Sequence, residues 1–307
     1  PNVLGGCQGT TGPASLDGVG TPWGSRFPVV TIRDQVAVEI ALADHLGIDC
    51  WAAVVGGSMG GMRALEWAVS APERVERAIV VACGAAATAE QIALCAIQAH
   101  AIRLDPGFAG GDYYEAKAGR GPARGLGLAR RLGHLSYRAE LELAFRFGRS
   151  AQLGEEPLTG GRYQVESYLD HHALKLAARF DANSYLVLSR AMDHHDIGRD
   201  RGGVDAVLRR VTAEVTVAGV DSDRLYPIRL QRDLIASLPG HPELVTITSP
   251  VGHDGFLVEA DQIDAVVASA LGRPADHGDP PASLNREVSP SSLDTGPAPR
   301  RARRDGR

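Results

Sequence analysis

The sequence predicts an α/β fold with a mostly parallel sheet, interrupted by a long helical insertion. An apolar, β-branched strand at 51–55 is followed by a helix predicted over 59–70 and a second strand at 77–83. This spacing is typical of a parallel βαβ unit. Strand patterns return at 214–218 and 244–248. Two separated groups of strands are therefore expected to form one sheet.

Residues 85–200 lie between these two groups and show helical patterns at 126–135, 138–147 and 163–180, broken by glycine-rich stretches, with no alternating strands. We predict that this segment is a helical lid and that residues 1–84 and 201–271 form the α/β core. The composition then changes to Pro, Ser, Asp and Arg, with few apolar residues to bury. Residues 272–307 are therefore expected to form a disordered tail.

The start of the chain favours an N-terminal truncation. There is no initiator Met, and the residues up to about 30 are rich in Gly, Pro, Ser and Thr. We interpret them as a clipped strand at 2–4 followed by a long loop. The first strands of the sheet are expected to be missing, which would expose an unpaired sheet edge.

Composition argues against several functional classes. Apolar residues make up 44% and charged residues 22%, an ordinary balance for a protein with a core. A net charge of -5 and 5% aromatic residues do not favour nucleic-acid binding, although the last residues are basic. No apolar run is long enough to span a membrane. The cysteines lack metal-type spacing, and Cys50 and Cys83 border apolar runs, which predicts buried thiols in a reducing cytoplasm.

The strongest chemical signal is Gly56-Gly57-Ser58-Met59-Gly60-Gly61, which contains the Gly-x-Ser-x-Gly motif between a predicted strand and helix. Such a turn strains the serine backbone and holds the hydroxyl clear of the sheet. Side chains at 56, 57, 60 and 61 would clash with their neighbours. We predict Ser58 as a nucleophile and the Met59 N–H, at a helix N-terminus, as an oxyanion donor. A glycine-rich turn with an incidental serine is the alternative.

A serine nucleophile needs a base, and in this strand–serine–helix arrangement the acid and then the histidine follow in sequence. His253 comes after the last predicted strand, and both Asp221 and Asp223 follow the strand before it. His253 is expected to accept the Ser58 proton while the acid orients its imidazole. Spacing alone does not choose between the two aspartates. The other is expected to accept backbone N–H bonds in the loop.

Several further histidines fall in the predicted lid, where surface or structural roles are expected: His134, His171, His172, His194 and His195. Adjacent residues on a helix point apart, so neither adjacent pair favours a shared metal ion. We predict no metal site.

Longer motifs resemble those of the homoserine O-acetyltransferase family. They are residues 2–13, 27–34, 56–67, 221–227 and 252–257, and the similarity extends over about residues 2–271. The resemblance implies an α/β-hydrolase fold and transfer of an acetyl group to the hydroxyl of L-homoserine through Ser58, on the route to methionine. It implies acetyl-CoA as a co-substrate and no bound cofactor.

The resemblance also implies individual roles. The Ser-Asp-x-Leu-(Phe/Tyr)-Pro pattern assigns Asp223 as the acid of the triad. Asp254 would hold the homoserine ammonium, and Arg130 would hold its carboxylate in bidentate fashion, with Arg131 as the alternative. From the residues alone, either arginine would be placed on a solvated helix face.

The family's lid implies a homodimer interface and a tunnel that excludes water from the acyl-enzyme. In the family, the segment before this point supplies the second oxyanion N–H. We therefore expect a chain of this length to be poorly active or prone to aggregation.

Four alternatives remain open. On the same scaffold, serine could replace homoserine as the acceptor, or succinyl-CoA could replace acetyl-CoA as the donor. An esterase would need the same triad but no clamp for an amino acid, so Arg130 and Asp254 distinguish it. The alternative from a different class is a non-catalytic, truncated remnant.

Overall fold

The sheet has four parallel strands in the order in which they occur along the chain. The computed structural model describes residues 2–115 and 121–272, so the predicted tail lies outside the described residues except for Gly272. The strands are β1 (Val54–Gly57), β2 (Arg77–Val81), β3 (Glu214–Val220) and β4 (Leu244–Ile247). Val54 aligns with Ala78, and Ala78 aligns with Val215, so the two predicted groups of strands do form one parallel sheet.

Two strand predictions need correction. β1 starts at Val54 rather than at Trp51, which makes only an isolated bridge to Val75. Residues 2–4 form no strand. They turn back on themselves instead, because the Gly6 N–H donates to the Val3 carbonyl at 3.0 Å.

Six helices belong to the core segments. They are α1 (Ile32–His45), α2 (Met59–Ser70), α8 (Val204–Leu208), α9 (Ile228–Ser237), α10 (Gly255–Val258) and α11 (Ala260–Ala270). The bounds of α2 are those predicted from sequence. α1 begins at Ile32, because the Thr31 hydroxyl and the Asp34 carboxylate form a reciprocal capping box.

The predicted lid segment holds five helices and, among its described residues, no strand of the sheet. They are α3 (Ala89–Leu104), α4 (Ala123–Tyr137), α5 (Glu140–Phe147), α6 (Gln164–Ala177) and α7 (Ala182–Asp193). The sequence patterns had indicated α4, α5 and α6 and had missed α3 and α7. Ile102, Leu126 and Leu176 form a small apolar core where α3, α4 and α6 meet.

Apolar layers cover both faces of the sheet. One layer joins α1, α2 and α9 to the sheet through side chains such as Val36, Leu65 and Leu234. The other joins α11 through Ile247 and Val266. Burying one such aliphatic side chain contributes about 1.5–3 kcal/mol, so these layers hold the carboxyl ends of the strands in fixed positions.

The thiols follow the sequence prediction only in part. All four cysteines are free, and Cys83, two residues after β2, is buried. Cys50 is exposed, because it lies in the loop before β1 rather than in a strand. None of the described helices is both long and apolar enough to cross a bilayer.

Candidate active site

Ser58 lies at the sharp turn between β1 and α2, in a backbone conformation that residues other than glycine rarely adopt. Its φ and ψ angles are 56° and -122°. Its N–H donates to the Val81 carbonyl of the neighbouring strand at 2.9 Å, which anchors the turn to the sheet. The strained serine predicted from the motif is present.

The glycines of the motif differ in what surrounds them. A Cβ at Gly56 would overlap the Gly60 carbonyl, and one at Gly57 would come within 2.5 Å of the Phe256 ring. A Cβ at Gly61 would lie 2.9 Å from the Val81 carbonyl oxygen. Gly60 has no neighbour within 4 Å, so the predicted clash at this position is wrong.

Ser58, His253 and Asp223 form a continuous hydrogen-bonded chain. His253 Nε2 lies 2.9 Å from Ser58 Oγ, and His253 Nδ1 lies 2.6 Å from Asp223 Oδ2. His253 and Asp223 are each only 4% exposed. The other oxygen of Asp223 accepts the N–H groups of Leu225 and Tyr226, both at 2.8 Å. This is the geometry that activates a serine hydroxyl, since the acid fixes the imidazole and the imidazole receives the proton.

The structure separates the two candidate acids that spacing had left open. The Asp221 carboxylate accepts the Ser249 N–H at 3.1 Å and thereby joins the acid loop to the loop after β4. Asp221 therefore has the loop-bonding role expected of the second aspartate. The contact with the imidazole belongs to Asp223.

Three aromatic rings enclose His253, and none of them was predicted from the sequence as a site residue. Tyr226 stacks on the imidazole at 5.0 Å, Phe256 meets it edge-on at 5.5 Å, and Tyr137 reaches it from the lid at 5.9 Å. Burial raises the pKa of the Tyr226 and Tyr137 phenols, so both remain protonated near neutral pH. Tyr226 and Phe256 lie within the motifs of the acid and histidine loops, and this position could have indicated that they contact His253.

A cavity of about 280 Å³ opens between Ser58 and the lid. Met59, the first residue of α2, lines it beside Ser58, so its unsatisfied N–H lies at the helix end next to the nucleophile. The opposite wall comes from α3 and α7 and is mainly apolar: Leu94, Cys95, Tyr185, Leu188 and Met192. Burial raises the pKa of the Cys95 thiol to about 12, which makes it an unreactive part of this wall.

Asp193 is the one charged side chain among the described residues that line this cavity. Burial raises the pKa of its carboxyl group. Neither Cys95 nor Asp193 was predicted as a site residue, because they lie on α3 and α7, for which the sequence showed no clear helical pattern.

The predicted substrate clamp lies beside this cavity rather than in its wall. The Arg130 guanidinium is 5.6 Å from the centre of the Tyr137 ring, and Tyr137 lines the cavity. Asp254 pairs with Arg138, whose Nη2 lies 3.3 Å from Asp254 Oδ2. The alternative arginine, Arg131, is engaged by Asp170 at 2.7 Å and so belongs to an ion pair of the lid.

Three of the lid histidines contact neighbouring groups of the fold rather than the cavity. His134 Nε2 lies 2.6 Å from the Tyr168 hydroxyl, and His172 stacks on His134 at 3.9 Å. His195 Nε2 lies 2.9 Å from the Gly84 carbonyl. Within residues 2–115 and 121–272, no three His, Cys, Asp or Glu side chains are grouped so that they could hold a metal ion.

Comparisons with known proteins identify the fold and the family of the chain. A family model described as the α/β-hydrolase fold matches residues 1–260. The homoserine O-acetyltransferase of Thermobifida fusca (strain YX) is 58% identical over 271 residues, which are 88% of this chain and 71% of that protein.

Solved structures give the same fold. The homoserine O-acetyltransferase of Bacillus anthracis superposes with a TM-score of 0.79 at 28% identity, covering 87% of this chain and 72% of that one. Esterase E22 superposes with a TM-score of 0.75 at 30% identity, covering 85% and 72%. With a high identity over most of the relative's length, the chain belongs to the homoserine O-acetyltransferase family of α/β-hydrolase-fold enzymes.

Proposed function

We propose that this enzyme transfers an acetyl group from acetyl-CoA to the hydroxyl of L-homoserine by a two-step, ping-pong mechanism. The observation that carries the proposal is the hydrogen-bonded Ser58–His253–Asp223 chain, whose His253 and Asp223 are buried and whose Ser58 lines a cavity under the lid. Membership of the homoserine O-acetyltransferase family supports this choice of donor and acceptor.

In the first step, Ser58 Oγ attacks the thioester carbonyl while His253 takes the hydroxyl proton. The negative charge that develops on the carbonyl oxygen is stabilised by the Met59 N–H at the start of α2. Collapse of this intermediate breaks the C–S bond, and His253 returns the proton to the departing thiolate. Asp223 stabilises the imidazolium throughout. CoA leaves, and Ser58 remains acetylated.

In the second step, His253 removes the proton from the homoserine hydroxyl, whose oxygen attacks the acetyl carbon. The bond to Ser58 Oγ breaks, the serine recovers its proton from His253, and O-acetylhomoserine is released. Asp254 would bind the ammonium of the acceptor and Arg130 its carboxylate, both beside Tyr137 at the cavity wall. The apolar wall favours the amino-acid acceptor over water as the attacking group.

We further propose a homodimer formed through the lid, and a place in methionine biosynthesis in a reducing cytoplasm. Large apolar side chains that are exposed on the lid support the dimer, and the four free cysteines support the compartment.

The decisive experiment incubates the purified protein with acetyl-CoA and follows CoA release with and without homoserine. We expect release that depends on homoserine, and a loss of at least about 10⁴-fold in Ser58→Ala, because the triad acts as a unit. Release that is unaffected by Ser58→Ala would overturn the proposal. Serine and succinyl-CoA, tested in the same assay, would identify the other acceptor or donor.

Ester hydrolysis is the second candidate, and the superposition on esterase E22 favours it. An esterase needs the same triad but has water as the acceptor. Acyl-donor cleavage that depends on Ser58 and proceeds at the same rate without homoserine would support the esterase and contradict acetyl transfer.

A further inference from the structure

Arg138 lies just after α4, at the junction between the lid and the loop that carries His253. Its Nη2 is 3.3 Å from Asp254 Oδ2, and its Nη1 is 3.8 Å from Glu142 Oε1. The Arg138 side chain is 14% exposed and that of Asp254 is 17% exposed. A largely buried guanidinium between two carboxylates fixes their geometry far more than a solvated arginine would.

Backbone contacts also join the segment after α4 to the loop that carries His253. The Ala139 N–H donates to the Val251 carbonyl at 3.1 Å. Gly252 has a φ of +94°, and a Cβ there would lie 2.6 Å from the Ala139 nitrogen. The chain around Arg138 therefore packs directly on the backbone next to His253.

The two carboxylates depend on Arg138 to different degrees. Glu142 has a second cationic partner, because Arg146 Nη1 lies 2.9 Å from Glu142 Oε1. Asp254 has no other ion-pair partner within 4.0 Å among the residues that the structure describes. Loss of Arg138 would leave Glu142 paired and Asp254 as an uncompensated, partly buried carboxylate.

We propose that Arg138 is a positioning residue for the acceptor. By binding Oδ2 of Asp254, it would leave Oδ1 to receive the α-ammonium of an amino-acid acceptor, in one fixed orientation. The inference rests on the proposed function, since it deepens the role given there to Asp254. Arg138 acts through Asp254 and touches neither Ser58 nor the acyl group, so it belongs to the second step and not to the first.

The experiment compares Arg138→Met, Arg138→Lys and the matched control Arg146→Met. Two steps are measured separately: the burst of 4-nitrophenol on acetylation of Ser58 by 4-nitrophenyl acetate, and the steady-state KM for homoserine with acetyl-CoA. For Arg138→Met we expect the homoserine KM to rise about 10- to 100-fold, with a much smaller change in the burst rate. Arg138→Lys keeps the charge and should lie between Arg138→Met and the wild type. Arg146→Met should keep the wild-type KM.

A double-mutant cycle with Asp254→Asn tests whether Arg138 acts through Asp254. In the Asp254→Asn background, Arg138→Met should add little, because its target is already altered. Additive effects, an unchanged homoserine KM, or an equal loss in Arg146→Met would each overturn the proposal. If Arg138→Met does not fold, the Arg138→Lys variant tests the proposal instead. A wild-type homoserine KM together with a reduced burst rate in Arg138→Lys would show that Arg138 serves the fold alone, and would overturn the proposal. If the rate of CoA release by the wild-type enzyme does not depend on homoserine, the proposed function itself is overturned.

Discussion

At the residue scale, Gly56 and Gly60 are both glycines of the Gly-x-Ser-x-Gly motif, but their surroundings in the structure differ. Gly56 faces the backbone of Gly60 at a separation too small for any side chain. Gly60 itself has open space where its side chain would be. The first glycine is required by packing, whereas the second is free of steric demands from the described residues.

We predict opposite outcomes for alanine at these two positions. Gly56→Ala should lower the free energy of unfolding by about 1–3 kcal/mol, because the backbone must shift to relieve the overlap. Gly60→Ala should be neutral or should stabilise α2 by up to about 1 kcal/mol, because alanine loses less conformational entropy in a helix. Thermal and urea unfolding measure both effects. Equal destabilisation by the two substitutions would contradict the proposed environments.

At the element scale, α4 and α6 are joined by a stacked pair of histidines that titrate abnormally. Burial, with a smaller contribution from neighbouring cationic side chains, lowers the pKa of His134 to about 3 and that of His172 to about 4. Both values lie below the ordinary 6.5. The folded protein therefore holds these rings neutral under conditions in which the unfolded chain would protonate them.

The consequence is a loss of stability on acidification. Between pH 6.5 and about 4 the unfolded chain binds more protons than the folded one, so the free energy of unfolding falls as the pH falls. His172→Phe keeps a ring against His134 but removes one titrating group. We expect its melting temperature to fall less steeply over this range than that of the wild type.

The control for this titration is His100→Phe, on an exposed position of α3. It should show the same dependence on pH as the wild type. Identical slopes for His172→Phe and the wild type would show that acid unfolding comes from other groups.

At the scale of the whole molecule, the lid carries large apolar side chains that a single chain leaves in water. Leu141 and Phe145 on α5 and Leu174 on α6 are exposed, and Phe145 is 92% exposed. Large apolar side chains that are exposed to water can form an interaction surface when they lie near one another. The proposed homodimer would bury them against a second copy of the lid.

The dimer can be tested by placing a charge on this surface. Phe145→Asp should weaken dimerisation by about 30-fold or more, the effect of losing a central aromatic contact, and shift the mass measured by light scattering toward the monomer. Val19→Asp is the matched control, because Val19 is 87% exposed but lies in the loop before α1. A wild-type monomer at micromolar concentration, or an equal shift in both variants, would contradict the dimer.

The sequence by itself determined the parts of the site that rest on local chemistry. Glycines around Ser58 permit a sharp turn between a strand and a helix, so the motif predicted this turn and the start of α2 at Met59. Ser58, the two aspartates and His253 each follow a predicted strand. Because parallel strands bring the loops at their carboxyl ends to one edge of the sheet, the sequence predicted that these residues would lie close together. The resemblance to the family then named Asp223, and the structure places that residue on the imidazole.

Only the tertiary structure decided what depends on contacts between distant segments. The roles of Asp221 and Asp223 differ because β4 brings the Ser249 N–H to the first and the histidine loop brings His253 to the second. Residues 2–4 have strand-like composition but form no strand, since a strand exists only where a partner pairs with its backbone. Arg138 went unnoticed in the sequence for the same reason. Its importance comes from Asp254, 116 positions away along the chain, and only folding brings the two charges together.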